Sequence, residues 1–238
     1  MNKQPVSYKQ NDLRWAREDY SVRGEKTTIG ASGCGPTCAA MLIETLTGKT
    51  FTPKDACAWA LKKGYKAYKQ GTYYSYFIPQ FKAFGIECER LNTANMYGTA
   101  ESLIHDKAFK LLKEGYYLIA CMGKGLWTSS GHYIVVWWED GKVRINDPAS
   151  TKPERLNGDL VTFKKQVKYY WAIDAREYNK EDDMTYYKTI NDVPKDYKDA
   201  VKKAVDKGAL KGYSGGVLNV SEDLCRTLTI LDRLGKLD

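Results

Sequence analysis

The 238-residue chain is short of the groups that metal chemistry needs. It has only two histidines, His105 and His132, and no Cys-x-x-Cys pair. A structural zinc site takes four nitrogen or sulfur ligands, so neither a metal nor a cofactor is expected. No segment approaches the roughly 18 apolar residues of a membrane span, so no membrane span is expected. The opening stretch MNKQPVSYKQNDLRWARED lacks the apolar core of a secretory signal. The expectation is a protein made in the cytoplasm, with any role outside it depending on release by another agent. No dense basic run and no nucleic-acid motif accompanies the net charge of +8, so nucleic acid is not the expected partner. The charge instead favours other polyanions, an acidic cell wall among them.

What is present is an ordinary globular composition, 43% hydrophobic and 28% charged, on a chain long enough to bury a sizeable core. Tyrosine is abundant, at 18 copies. Its flat apolar face and polar tip suit an extended polymer-binding surface and plain packing equally well. The six cysteines are Cys34, Cys38, Cys57, Cys88, Cys121 and Cys225. A cytosolic chain of this size neither needs nor keeps disulfides. Cys57, Cys88, Cys121 and Cys225 lie in apolar or periodic surroundings and read as small buried side chains.

Helix punctuation is clear in FTPKDACAWALKKG, where Thr52 caps, Pro53 starts and Gly64 ends a helix. TAESLIHDKAFKLLKEG reads as another helix, and YYLIACMG as a strand. HYIVVWWEDGKVRINDP reads as a hairpin around Asp140-Gly141, and QVKYYWAID as a further strand. Helices early and antiparallel strands late predict an α+β fold, a helical layer on a sheet, over residues 1–175. A polar linker follows at 176–188. Residues 189–238 read as helix, Gly-rich turn, helix, with Ala200, Val201, Ala204 and Val205 as one apolar stripe and Leu224, Leu228 and Leu231 as another, and Ser221 as N-cap.

The segment SGCGPTCAAMLIETLTG carries the chemistry. Pro36 in a first turn and Gly48 as a stop put Cys34 at a helix N-terminus. The partial positive charge there favours thiolate over thiol, and Gly33 and Gly35 leave room for a substrate backbone. Cys38, one turn deeper, points into the core. A thiolate nucleophile needs a base. His105 sits in mid-helix without special surroundings, structural or solvated, whereas His132 opens a strand. With Asp140-Gly141 at the turn, Ile134 lies opposite Asp147. His132 and Asp147 then share a face as diagonal neighbours, while Asn146 faces the other way. Cys34, His132 and Asp147 thus read as nucleophile, base and orienting group. Gln10 is a candidate donor to an oxyanion, beside the Cys34 backbone N–H. A metal held by Cys34, Cys38 and His132 would want a fourth ligand, and none is evident.

The order Gln, Cys at a helix start, His on a strand and Asp on the next resembles the papain-like cysteine peptidases. More closely, KQNDLRWA, TIGASGCGPTCAAMLIETLTG, SGHYIVVWW and INDP resemble the bacteriocin-processing-peptidase-like family, over roughly residues 5–175. That resemblance implies a papain-like fold, with Cys34 as nucleophile, His132 as general base, Asp147 as its orienting partner and Gln10 in the oxyanion hole. Cys38 stands where the family usually has a small Ser or Ala. The tail, VPKDYKDAVKKAVDKGALKGYSGG followed by LCRTLTILDRLG, is similar to one S-layer-homology-like repeat. This implies attachment to a Gram-positive cell-wall polymer, with oligomerisation as the alternative. Members of the family occur in phage and bacterial cell-wall hydrolases and in peptide exporters. The resemblance therefore implies an endolysin-like hydrolase that cuts peptidoglycan amide bonds at the cell wall after release. A cytosolic peptidase for a leader peptide or host protein and a non-catalytic wall-binding module are the alternatives.

Overall fold

The structure, a computed structural model, describes residues 3–93, 98–157, 159–178, 186–212 and 216–237. The chain divides into two units, Met1–Asn179 and Lys180–Asp238. In chain order the first holds α1 (Ile29–Ser32), α2 (Cys34–Thr47), α3 (Pro53–Lys62), α4 (Phe77–Lys82), β1 (Cys88–Arg90), α5 (Ser102–Lys113), β2 (Tyr116–Met122), β3 (His132–Glu139), β4 (Lys142–Asn146), α6 (Pro153–Leu156), α7 (Leu160–Gln166) and β5 (Val167–Asp174).

Local chemistry sets the helix boundaries. Gly48 ends α2 in the left-handed conformation, at φ 65°, which glycine adopts without a Cβ penalty. Thr52 opens α3 with a reciprocal cap: its hydroxyl accepts from Asp55 N at 3.3 Å, and Asp55 Oδ2 accepts from Thr52 N at 2.9 Å.

The strands form one antiparallel sheet in the order β1-β5-β2-β3-β4. The sequence led us to expect one helical layer. The sheet has apolar cores on both faces. Alternate residues of β2, β3 and β5, such as Ile119, Val135 and Trp171, pack with Met41 and Leu42 of α2. The intervening ones, such as Ala120, Ile134 and Tyr170, pack with Ala108 and Leu112 of α5 and Phe163 of α7. This is why these strands read as unbroken apolar runs rather than alternating ones. The arrangement is α+β and papain-like, with α2 lying along one face of the sheet.

In the second unit, β6 (Tyr186–Tyr187) pairs antiparallel with β7 (Val220–Ser221), joined by α8 (Lys195–Asp206) and followed by α9 (Glu222–Arg233). Tyr186 and Tyr187 thus pair inside the stretch read as linker, whose residues 179–185 lie outside the described ones, as do 213–215 of the Gly-rich turn. Ser221 caps α9, its hydroxyl accepting from Leu224 N at 3.2 Å. Ala200, Val201 and Ala204 are buried as expected of their stripe, Val205 only partly. The other stripe is corrected. Cys225 and Leu228 are buried, whereas Leu224 and Leu231 are 37% and 36% exposed. The leucine spacing is helical, but the buried side of α9 is rotated toward Cys225.

Thr52→Ala removes the capping box of α3 and is expected to cost about 1 kcal/mol. Thermal melting should show a fall in Tm of roughly 2–4 °C; an unchanged Tm would contradict the cap's contribution.

Candidate active site

Cys34 is the first residue of α2, directly after α1, and is buried to 9% exposure. The flanking glycines do not make room for a substrate backbone, as their positions suggested. They let the helix start seat against the protein itself. A Cβ on Gly33 would lie 2.6 Å from Ile29 O, and one on Gly35 would lie 3.2 Å from the Tyr133 ring. Gly33 thus seats the helix mouth on α1, and Gly35 seats it on Tyr133 of β3, the residue after His132.

The hairpin has the register of a two-residue Asp140-Gly141 turn, with Glu139 opposite Lys142 and Val135 opposite Asn146. Asn146 turns away, its Nδ2 lying 3.4 Å from Pro5 O. Asp147, the next residue, is fully buried, and its Oδ1 lies 2.7 Å from His132 Nε2. That leaves His132 Nδ1 as the ring nitrogen for the Cys34 thiol. Burial pushes the Cys34 thiol up, but hydrogen bonding and charge from His132, helped by the Tyr133 and Gly35 backbone, hold it below its usual value. Burial likewise pushes His132 down, and hydrogen bonds with Asp147 and Cys34 outweigh it, raising the imidazole to about 9. The two shifts run in the direction of thiolate and imidazolium, each charge favouring the other.

Asp147 is held on several sides. Its Oδ1 also accepts from Ala149 N at 2.8 Å. Arg155 Nη2 donates to Trp127 O at 2.6 Å and stands 2.6 Å from Asp147 Oδ2 as a charge contact rather than an aligned hydrogen bond. Trp127 Nε1 donates in return to Arg155 O at 2.8 Å. Lys9 Nζ donates to the carbonyls of Asp147 and Ser150 at 2.6 and 3.0 Å. Arg155 and Trp127 belong to none of the motifs read from the sequence, and Lys9 opens the KQNDLRWA motif without having been given a role. Their proximity to Asp147 arises from loops that meet only in the fold.

Gln10 is buried, and its backbone N donates to Pro148 O at 2.8 Å beside Asp147. Its Nε2 donates to Gly30 O at 2.8 Å, while Oε1 is buried without a partner. One amide N–H thus ties Gln10 to the segment leading into Cys34. Gln10 does not line either groove at the cysteine.

Cys38 is fully buried, and burial together with the nearby Cys34 pushes its thiol well up. His105 is buried, with Nδ1 2.8 Å from Tyr170 Oη. All six cysteines are free thiols, Cys88 being only partly buried. Among the described residues, no group of three or more His, Cys, Asp or Glu side chains is placed to hold a metal ion.

Two grooves, of about 570 and 480 Å³, meet at Cys34 and share Lys69, Gln70, Gly71, Ser130 and Gly131. Their walls are joined by a buried ion pair. Lys66 Nζ lies 2.6 Å from Glu25 Oε1 and donates to Ala67 O and Gln70 O, each at 2.7 Å. With three acceptors the ammonium is fully satisfied, and the loops at Glu25 and Gln70 are fixed to each other. The arrangement sets a thiol held below its usual pKa, an imidazole and an orienting carboxylate beside the two grooves, which is what nucleophilic attack on a carbonyl requires.

A family model described as "Peptidase_C39 like family" matches residues 6–179, a span that holds Gln10, Cys34, His132 and Asp147. No curated protein matches the sequence.

The lowered thiol gives a pH signature. A cysteine pKa held below its usual range keeps the thiolate as pH falls, so iodoacetamide should alkylate Cys34 rapidly well below pH ~8.5. In His132→Ala burial is opposed only by the Tyr133 and Gly35 backbone, and the alkylation midpoint should move up. Coincident profiles for the two proteins would contradict the coupling.

Proposed function

The chain belongs to the Peptidase_C39 like family, and from that premise we propose a cysteine peptidase that hydrolyses amide bonds in the peptide part of peptidoglycan. The observation that carries the chemistry is the Cys34–His132–Asp147 constellation, with a lowered thiol and a raised imidazole. In this reading the Cys34 thiolate attacks the scissile carbonyl carbon. The oxyanion is met by the Cys34 backbone N–H, and the family resemblance adds Gln10, whose Nε2 keeps one hydrogen beyond its bond to Gly30 O. The His132 imidazolium gives its proton to the leaving amine, which departs as the C–N bond breaks. The neutral imidazole then takes a proton from water, which attacks the thioester and releases the acid and the thiolate. Asp147 keeps Nδ1 directed at sulfur throughout by holding Nε2.

Several features support the wall as substrate. The net charge of +8 favours an anionic matrix. The second unit, with its resemblance to an S-layer-homology-like repeat, would bind a Gram-positive wall polymer in this account. Gly71 and Gly131 line both grooves and leave room for a substrate backbone to lie close to Cys34. They would equally suit a peptide leader, and processing of such a leader is the second reading.

Turbidity of Gram-positive cells should fall with the wild type and not with Cys34→Ala; equal clearing by both would contradict thiolate catalysis. Mass spectrometry of digested wall should show new amine and carboxyl ends within stem peptides or cross-bridges. Cleavage of a Gly-Gly leader with the wall left intact would favour the second reading.

A further inference from the structure

Beyond the reacting groups the groove is lined by Tyr74, Cys121 and Tyr133, and the buried Tyr169 lies behind them. Tyr133, Cys121 and Tyr169 are successive Cα partners across β3, β2 and β5, and all three share the core face that holds Cys34. They make a row leading from the groove toward β1, the edge strand that pairs with β5. At ~4.8 Å between strands, Tyr169 lies roughly 10 Å from Tyr133. That is the reach of about three residues of extended peptide.

Two cations stand at that far end. Arg90, the last residue of β1, is the Cα partner of Trp171. Its guanidinium carbon lies 4.4 Å from the ring centroid of Tyr169, 5.4 Å from Tyr74 and 5.5 Å from Trp171. A guanidinium stacked on rings keeps its fork of N–H donors for a planar anion. The second cation is Lys168. The pairing of β2 with β5 slips here: Cys121 pairs with Tyr169 and Met122 with Val167, so Lys168 is the extra residue of a β-bulge. Adjacent strand residues ordinarily point to opposite faces, but a bulge re-aims a side chain, and Lys168 Nζ lies 6.0 Å from the Tyr169 ring. Asn92 satisfies the irregular backbone, donating to Lys168 O at 2.9 Å and accepting from Tyr170 N at 3.1 Å.

Among the described residues neither cation has an acidic partner, and Arg90 Nε is buried with no hydrogen-bond partner. Their charges nonetheless act on the groove. Burial dominates and raises the ionisable groups of Tyr74, Cys121 and Tyr133, all of which line it. Arg90 opposes that rise at each, and Lys168 opposes it at Cys121.

We propose that Arg90 and Lys168 form a carboxylate-binding subsite beside Tyr74, where the groove runs toward β1, selecting substrates with an acidic group about three residues from the scissile bond. The subsite rests on Cys34 being the groove's nucleophile and is independent of whether the substrate is wall or leader. Its carboxylate accepts the bidentate fork of Arg90, with Lys168 as a second charge.

Affinity labels test this without requiring turnover. Iodoacetyl-Gly-Gly-Glu-amide and acetyl-Glu-Gly-Gly-chloromethyl ketone extend to the two sides of the reactive carbon, and each has a Gln counterpart. The Glu label should alkylate Cys34 about tenfold faster than its Gln counterpart in at least one series, with the preference fading as salt is added. Arg90→Gln/Lys168→Met should bring the ratio to about one, and Arg90→Lys should retain part of it. The iodoacetamide rate should stay at the wild-type level in every variant, which reports an intact fold and thiolate. A ratio near one in both series with the wild type would overturn the subsite, as would a preference that survives in the double variant with a normal iodoacetamide rate. Slow alkylation of wild-type Cys34 by iodoacetamide itself would instead sink the nucleophile assignment, and the subsite with it.

Discussion

The 2.7 Å contact between His132 Nε2 and Asp147 Oδ1 is the interaction on which the rest of the first unit converges. It decides which imidazole nitrogen is left for sulfur, and it sets a buried negative charge against a ring that burial would otherwise keep neutral. The raising of His132 from 6.5 to about 9 corresponds to roughly 3 kcal/mol in favour of the charged ring, despite the cost of burying it. That gain is shared with the thiolate, so neither member of the pair is charged on its own account.

The fold is arranged to keep this contact in place. The register of β3 and β4 brings the two residues to one face. Arg155, locked to Trp127 by reciprocal hydrogen bonds, stands against the second carboxylate oxygen. Lys9 and the Gln10 backbone clip the loop that follows Asp147. On the other side, Gly33 lets the α2 mouth close against Ile29 of α1, and Gly35 lets it lie tightly against the Tyr133 ring of β3. The site is thus built on a helix end and a strand end with few degrees of freedom, while the groove walls are supplied by loops fixed through Lys66 and Glu25.

Much of this was legible in the sequence because it is local. Caps at Thr52 and Ser221, the stop at Gly48 and the Asp140-Gly141 turn follow from residues a few positions apart, and the hairpin parity distinguished Asp147 from Asn146 without a structure. Tertiary features were hidden. Arg155 sits in a four-residue helix with no periodicity to mark it. β1 is three residues long and half-exposed. The bulge at Lys168 leaves no trace in an apolar strand pattern. The α9 leucines misled because Cys225 is as apolar as they are, and the face that is buried depends on what α8 presents. The glycines around Cys34 were rightly read as permitting close approach, but the approaching group is the protein's own backbone and Tyr133 ring.

An ion pair between Cys34 and His132 is directly measurable, because the chain has only two histidines. Side-chain NMR of the imidazoles against pH should show two separate titrations. His105, lowered by burial and by Lys164, should titrate below the ordinary histidine range. His132 should remain protonated to about 9 and fall back toward lower pH in Cys34→Ser, where no thiolate opposes it. A His132 that titrates alike in wild type and Cys34→Ser, at or below the ordinary value, would contradict the account.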